Sequence, residues 1–234
     1  IGRNSLSVKT KLSKDILTIG SWITLGHSSV AEIMAKTGGF DWLAIDMEHS
    51  VIEMRDCQEI IQAIDLCGVT PLVRVMSNNH DSIRKVMDIG AQGIIVPNIN
   101  SKTDAIKAVE SAYYPPIGRR GAGLARAQKY GVDFQSYFKW IQSNAIVIVM
   151  IEHIDAVNNL EEIFSVKGID GFIVGPYDLS ASMGFVGDFK NQEVIKTIDE
   201  ISAVGKAKGI SGGIHIVDPS IDLLQHYVKK GLVL

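Results

Sequence analysis

Several apolar runs in this sequence end in side chains that can hold charge or move protons. DMEHS supplies Asp46, Glu48 and His49; PLVRV carries Arg74; IVIVMIEH ends in Glu152 and His153; FIVGPYDLSAS leads through Gly175 and Tyr177 to Asp178; and GGIHIV contains His215. Taken singly, each has a modest explanation: Asp46 caps a turn, Arg74 neutralises a carboxylate, and Asp178 caps a helix. His153, His215, His27 and His80 read singly as satisfied surface histidines. The convergence of two acids, a histidine and an arginine on one end of neighbouring strands is what points to chemistry, because uncompensated charge there is costly. Two carboxylates on adjacent strands, without cysteine or a histidine pair, suit a hard divalent ion such as Mg²⁺ or Mn²⁺ rather than structural zinc. Two protein ligands leave positions open for water and for a 2-oxo acid that chelates through its carboxylate and carbonyl oxygens. Polarising that carbonyl makes the neighbouring carbon acidic, which opens carbon–carbon bond chemistry.

The elements that must position these residues alternate between short β-branched runs and longer amphipathic stretches, the pattern of βα units around a parallel sheet. Eight strands are expected, at 16–25, 42–46, 70–75, 93–97, 146–151, 171–174, 212–217 and 232–234. VAEIMAKTGG ends in glycines suited to a C-cap, and Ser101 opens TDAIKAVESAYY as an N-cap. With 234 residues, eight units take roughly 29 each, matching the eight-stranded (β/α)8 TIM barrel better than a doubly wound sheet. The first turn reads TLGHSS and lacks the glycine fingerprint of the doubly wound alternative. The Pro-, Gly- and Arg-rich stretch YYPPIGRRGAGLARAQKYG is expected to be a functional loop. Within it, Arg119 and Arg120 either grip an acidic acceptor or tie the loop down. The sequence reaches the eighth strand without an eighth helix, which a partner subunit or further residues would supply.

Composition narrows the partners. Lys and Arg number 23 against 26 Asp and Glu, a net charge of −3, and hydrophobic residues make up 46%. That describes a single globular domain, 1–234, with no basic footprint for nucleic acid and no membrane span. The opening IGRNSLSVKTKLSK is polar and basic, unlike a secretory signal. The two cysteines, Cys57 and Cys67, lie on one helix about 15 Å apart, too far to bridge. A reducing, cytoplasmic setting is expected.

The ordered strings GFDWLAIDMEHS, PLVRV, KVMDIGAQGIIVPNI, YYPPIGRRGAG, MIEHIDAVNNLEEI and GIDGFIVGPYDLSASMG resemble the HpcH/HpaI family of class II, metal-dependent 2-oxo-acid aldolases, of the 4-hydroxy-2-oxoheptanedioate aldolase type. The likeness runs from about Gly20 to Leu234. It implies a barrel of the phosphoenolpyruvate/pyruvate superfamily and reversible cleavage of a 4-hydroxy-2-oxo acid to pyruvate and an aldehyde through a metal-stabilised enolate. By matching position, Glu152 and Asp178 hold Mg²⁺ or Mn²⁺, with Co²⁺ as a further option. His49 is the acid/base, Asp46 orients its imidazole, and Arg74 steadies the oxyanion. The backbone at Gly175, Tyr177 and Asp178 faces the pyruvate carboxylate, and the family also implies a dimer-based homo-oligomer, up to a hexamer. Met150 stands where many relatives have a substrate-contacting glutamine, and Met47 replaces the glycine of DGEH, adding bulk beside the histidine. The rival readings are a citrate-lyase-β-like enzyme acting on a coenzyme A thioester, a macrophomate-synthase-like decarboxylating enzyme, and a non-catalytic oxo-acid binder.

Overall fold

The computed structural model describes residues 6–234. Its strands are β1 (Gly20–Ile23), β2 (Trp42–Asp46), β3 (Thr70–Arg74), β4 (Gly93–Val96), β5 (Ile146–Ile151), β6 (Gly171–Val174) and β7 (Ser211–Ile214). Helices α1 (Val8–Ser13), α2 (Ser28–Thr37), α3 (Met54–Leu66), α4 (His80–Asp88), α5 (Lys102–Ala112), α6 (Phe134–Asn144), α7 (Ile154–Asn158), α8 (Leu160–Ile163), α9 (Pro176–Ser182), α10 (Gln192–Lys208) and α11 (Ile221–Lys229) precede, separate and follow them. The seven strands form one sheet in sequence order, and every neighbouring pair is parallel. Among the described residues, no helix is long and apolar enough to cross a membrane.

Strand alternation divides the core in two. Trp42, Ala44, Leu72, Ile95, Ile146, Ile148, Met150 and Ile173 face the inside of the curled sheet, while their neighbours Leu43, Ile45, Val73, Ile94, Val147, Val149 and Phe172 pack outward against the helices. The expected caps form: Gly38 ends α2 at φ 79°, and the Ser101 side chain accepts from the Asp104 N–H. Cys57 is buried in α3, Cys67 caps its end, and both thiols are free.

Four expectations are corrected. The first strand spans only Gly20–Ile23, because the Asp41 carboxylate takes the Ile19 N–H and the Asp41 N–H takes the Ile19 carbonyl. The seventh stops at Ile214. The eighth shrinks to a single bridge between Gly212 and Leu232, although Val233 N–H bonds Gly212 O at 2.7 Å and Thr18 N–H bonds Val233 O at 2.7 Å, so this segment joins β7 to the chain before β1. The Arg-rich loop is structural: Arg120, 1% exposed, pairs with Asp88 at 2.5 Å, bonds the Tyr137 hydroxyl at 3.1 Å and lies 4.7 Å over the Tyr114 ring. Arg126 reaches Ile89 O and Asp65. These anchors sit where α3 and α4 end, at the opposite end of the strands from the acidic residues, and Arg119 merely pairs with Glu110.

Helix α1, which the strand-and-helix reading omits, seals that same end. Val8 and Leu12 join the inner core, and Lys9 Nζ meets Asp170 at 2.9 Å, Ala145 O at 2.5 Å and the Tyr113 hydroxyl at 3.1 Å. Burial raises the Asp170 pKa, and the Lys9 charge opposes the rise. Lys9→Met should cost about 2 kcal/mol, the scale of a lost hydrogen bond to a charged group. Without the ammonium the Asp170 carboxyl titrates higher still, so the deficit is full above that pKa and fades as pH falls through it. Urea unfolding of both proteins across pH 4–8 measures this.

Candidate active site

At the carboxyl ends of the strands, β2 and β3 are in register so that Asp46 lies opposite Arg74. The guanidinium grips the carboxylate with two bonds, Nε to Oδ1 at 2.9 Å and Nη2 to Oδ2 at 2.6 Å, and both groups are buried. Asp46 Oδ1 also accepts the backbone N–H groups of Glu48 and His49, and Ser50 Oγ donates to the Asp46 carbonyl. Burial alone would raise the Asp46 pKa; the Arg74 hydrogen bond, the two N–H groups and the Arg74 charge outweigh it and hold the carboxyl below its usual value. Asp46 fixes the loop backbone at His49, while the ring itself is 63% exposed with Nε2 3.8 Å from Glu48 Oε2. Met47 points the other way, into the outer core, so its bulk does not crowd the histidine.

Glu48 stands 3.5 Å from Arg74 Nη1, and its Oε2 is buried without a hydrogen-bond partner. Burial raises its pKa. From β5, Glu152 follows Met150 on the inner face; its Oε1 accepts the Asn98 N–H at 2.7 Å. Burial, reinforced by the negative charges of Glu48 and Asp178, pushes the Glu152 carboxyl up to about 7. Three carboxylates therefore face one another beside a single guanidinium, which grips Asp46 and stands 3.5 Å from Glu48. Asp178 is exposed in the first turn of α9, and the first bond of that helix runs from Leu179 N–H to Gly175 O, leaving the Tyr177 and Asp178 N–H groups without an intrahelical acceptor. Among the described residues no three or more His, Cys, Asp or Glu side chains are arranged to hold an ion unaided. The oxygen-only donor set, with an unsatisfied buried carboxylate oxygen, fits a divalent cation that shares its shell with water and substrate.

Asp46, Glu48, His49, Arg74, Glu152, Gly175 and Asp178 thus come together at one mouth. His153 and His27 do the modest work expected of them, each accepting a helix N-terminal N–H through Nδ1, and His80 meets Ser111. Three further participants emerge. Asn98 turns the chain at φ 56° so that its N–H faces Glu152, a conformation asparagine adopts more readily than most residues. Trp22 lies beneath Arg74, whose guanidinium carbon is 4.7 Å from the ring centre. His215 packs on Trp22, contrary to its reading as a surface histidine. A cleft of about 730 Å³ runs from Asp46 and Arg74 past Trp22 to His215.

The profile of HpcH/HpaI aldolase/citrate lyase matches residues 18–233. The chain belongs to this family. It is 38% identical over 207 residues to 2-keto-3-deoxy-L-rhamnonate aldolase of Escherichia coli O17:K52:H18, covering 86% of this chain and 77% of that one. It is 35% identical over 221 residues to 2-dehydro-3,6-dideoxy-6-sulfogluconate aldolase of Pseudomonas putida, covering 94% and 85%. A solved HpcH/HpaI aldolase/citrate lyase family protein from Burkholderia cenocepacia J2315 superimposes with a TM-score of 0.92 at 33% identity, covering 98% of this chain and 91% of that one. The named relatives are aldolases, carbon–carbon lyases, and the chain is placed in that enzyme class.

Within this family frame, Gly175 is a spatial requirement. A Cβ there would lie 2.9 Å from Glu152 Oε2, 3.0 Å from its Cβ and 3.4 Å from the Met150 methyl. Gly175→Ala should push the Glu152 carboxylate off the Asn98 N–H, a displacement that a crystal structure of the variant checks. Aldol turnover measured in parallel should fall about 100-fold, the scale of an ångström-sized misplacement.

Proposed function

We propose that this chain is a divalent-metal-dependent aldolase that reversibly cleaves a 4-hydroxy-2-oxo acid to pyruvate and an aldehyde. The observation that carries the reading is the crowding of Glu48, Glu152 and Asp178 at a mouth where Arg74 is shared between Asp46 and Glu48. Glu152 and Asp178 would hold Mg²⁺ or Mn²⁺, or Co²⁺, which when bound supplies Lewis acidity to the carbonyl of the oxo acid. The N–H groups of Tyr177 and Asp178 receive the pyruvate carboxylate at the start of α9. Arg74, fixed by Asp46 and by Trp22, presents its guanidinium to the oxygen on which negative charge develops. His49, exposed at the rim beside Glu48, moves the proton between the substrate and solvent. The substrates named for the two relatives are both 2-oxo, 3-deoxy acids, and breaking the bond next to the deoxy carbon releases pyruvate. This favours the small-acid reading over a coenzyme A thioester or a decarboxylating partner.

The finer architecture follows the same reading. We take the seven strands and the 232–234 segment as a closed (β/α)8 barrel in a single domain. The enzyme works in the cytoplasm as a dimer-based homo-oligomer without nucleic acid or membrane partners.

Incubation with Mn²⁺, pyruvate and short aldehydes should consume pyruvate, and its methyl protons should exchange in D₂O. Absence of both would overturn the proposal. Glu152→Gln and Asp178→Asn should abolish metal-dependent turnover while circular dichroism stays native; undiminished turnover would refute the ligand pair. His49→Ala should slow proton exchange by roughly 10² to 10⁴, the range for losing a general acid/base.

A further inference from the structure

Glu48 Oε2 is buried and accepts no hydrogen bond from any described residue, a costly state for a carboxylate oxygen. Two nitrogens stand off that same oxygen, Arg74 Nη1 at 3.5 Å and His49 Nε2 at 3.8 Å. The other charged groups around Glu48 are Asp46 on β2, Glu152 on β5 and Asp178 on α9, which add negative charge and supply no cation. Only Arg74 and His49 can therefore satisfy it from within the protein.

Arg74 is not free to close the gap. Its Nε and Nη2 are bonded to Asp46 at 2.9 and 2.6 Å, and the guanidinium lies over the Trp22 ring. Carrying Nη1 toward Glu48 would break that two-bond grip. His49 is held differently. Its main-chain N–H is fixed by Asp46 Oδ1 at 3.2 Å, while its ring is 63% exposed and, among the described residues, is paired only with Glu48. A turn of the ring that moves Nε2 by about 1 Å brings the two groups to the ~2.8 Å of a charge-assisted hydrogen bond. Asp46 thus sets the backbone of His49, and Glu48 is left to set its ring.

Resting on the aldolase reading, we propose that Glu48 is a positioning residue that accepts the His49 Nε2–H and leaves Nδ1 to exchange protons with the substrate. A bond held at one ring nitrogen fixes which of the two carries the resting proton. When the methyl C–H bond of pyruvate breaks, its electron pair stays with the enolate and the proton goes to Nδ1. The imidazolium so formed lies against the Glu48 carboxylate and then returns the proton to solvent.

A crystal structure with Mn²⁺ and pyruvate should place His49 Nε2 within about 3.2 Å of Glu48 Oε2, the outer limit of an N–H···O bond; a longer separation would overturn the proposal. Exchange of the pyruvate methyl protons in D₂O, at saturating Mn²⁺, supplies the kinetic arm. Glu48→Ala should slow it roughly 10- to 100-fold, the scale of a hydrogen bond to a charged group, through kcat rather than KM. Glu48→Gln, whose amide oxygen still accepts an N–H, should recover part of that loss. In a His49→Ala background Glu48→Ala should cost nothing further, because its effect passes through the ring. Losses that multiply in the double variant would mark a role in packing or at the cation, and these, like unaltered exchange in both single variants, would overturn the role of Glu48 alone. No exchange by the wild-type enzyme would overturn the aldolase reading and this inference with it.

Discussion

The mouth of this protein is organised by one buried ion pair. Asp46 and Arg74 are cross-strand neighbours on β2 and β3 and meet through two parallel hydrogen bonds. A buried pair of this kind is weak evidence of net stability, because desolvation consumes much of the attraction. Its consequence here is placement. Arg74 is held against Trp22 with one nitrogen turned toward Glu48, and Asp46 draws in the backbone of Glu48 and His49. Arg74, shared between Asp46 and Glu48, does not offset the burial of Glu152, whose carboxyl stays raised to about 7 and which a cation from outside would suit.

Function and stability are divided between the two ends of the strands. The candidate site lies at the carboxyl ends of the parallel strands, where loops gather side chains from several strands. The opposite end is closed by α1 and by the ion pairs of Arg120 with Asp88 and Lys9 with Asp170, which are set into the core. Arginine-rich loops attract functional interpretation because exposed guanidinium groups bind anions. Arg120 instead lies between Tyr114 and Tyr137 with its charge matched by Asp88.

The strands and most of the site were legible in the sequence because period-two alternation fixes which residues face inward. Asp46 in and Met47 out, Met150 and Glu152 together, follow from counting by twos. What escaped depends on distances the pattern does not encode. Asn98 serves Glu152 through a main-chain N–H, which any residue type carries, and only a positive φ brings it round. Glu48 was visible as a rim carboxylate, but that its Oε2 is orphaned needs the packed structure. The short α1 lacks the length for a periodic signal, and the start of β1 and the 232–234 segment were set by bonds from Asp41 and Thr18. The same counting that placed Asp46 also turns His215 inward; the general tendency of lone histidines to sit on surfaces concealed it.

Met150 completes the argument from the inside. It lies in the inner core, with its methyl close beneath Gly175 and its strand neighbour Glu152 two residues on. A thioether adds apolar volume there and no hydrogen bond of consequence. Two effects follow from the one side chain. It contributes to the burial that, together with Glu48 and Asp178, lifts the Glu152 carboxyl to about 7, and so strengthens the preference of that group for a cation partner once ionised. It also offers no amide contact from β5, so that in the proposed aldolase the oxo acid would be oriented by Arg74 and by the N–H groups of Tyr177 and Asp178.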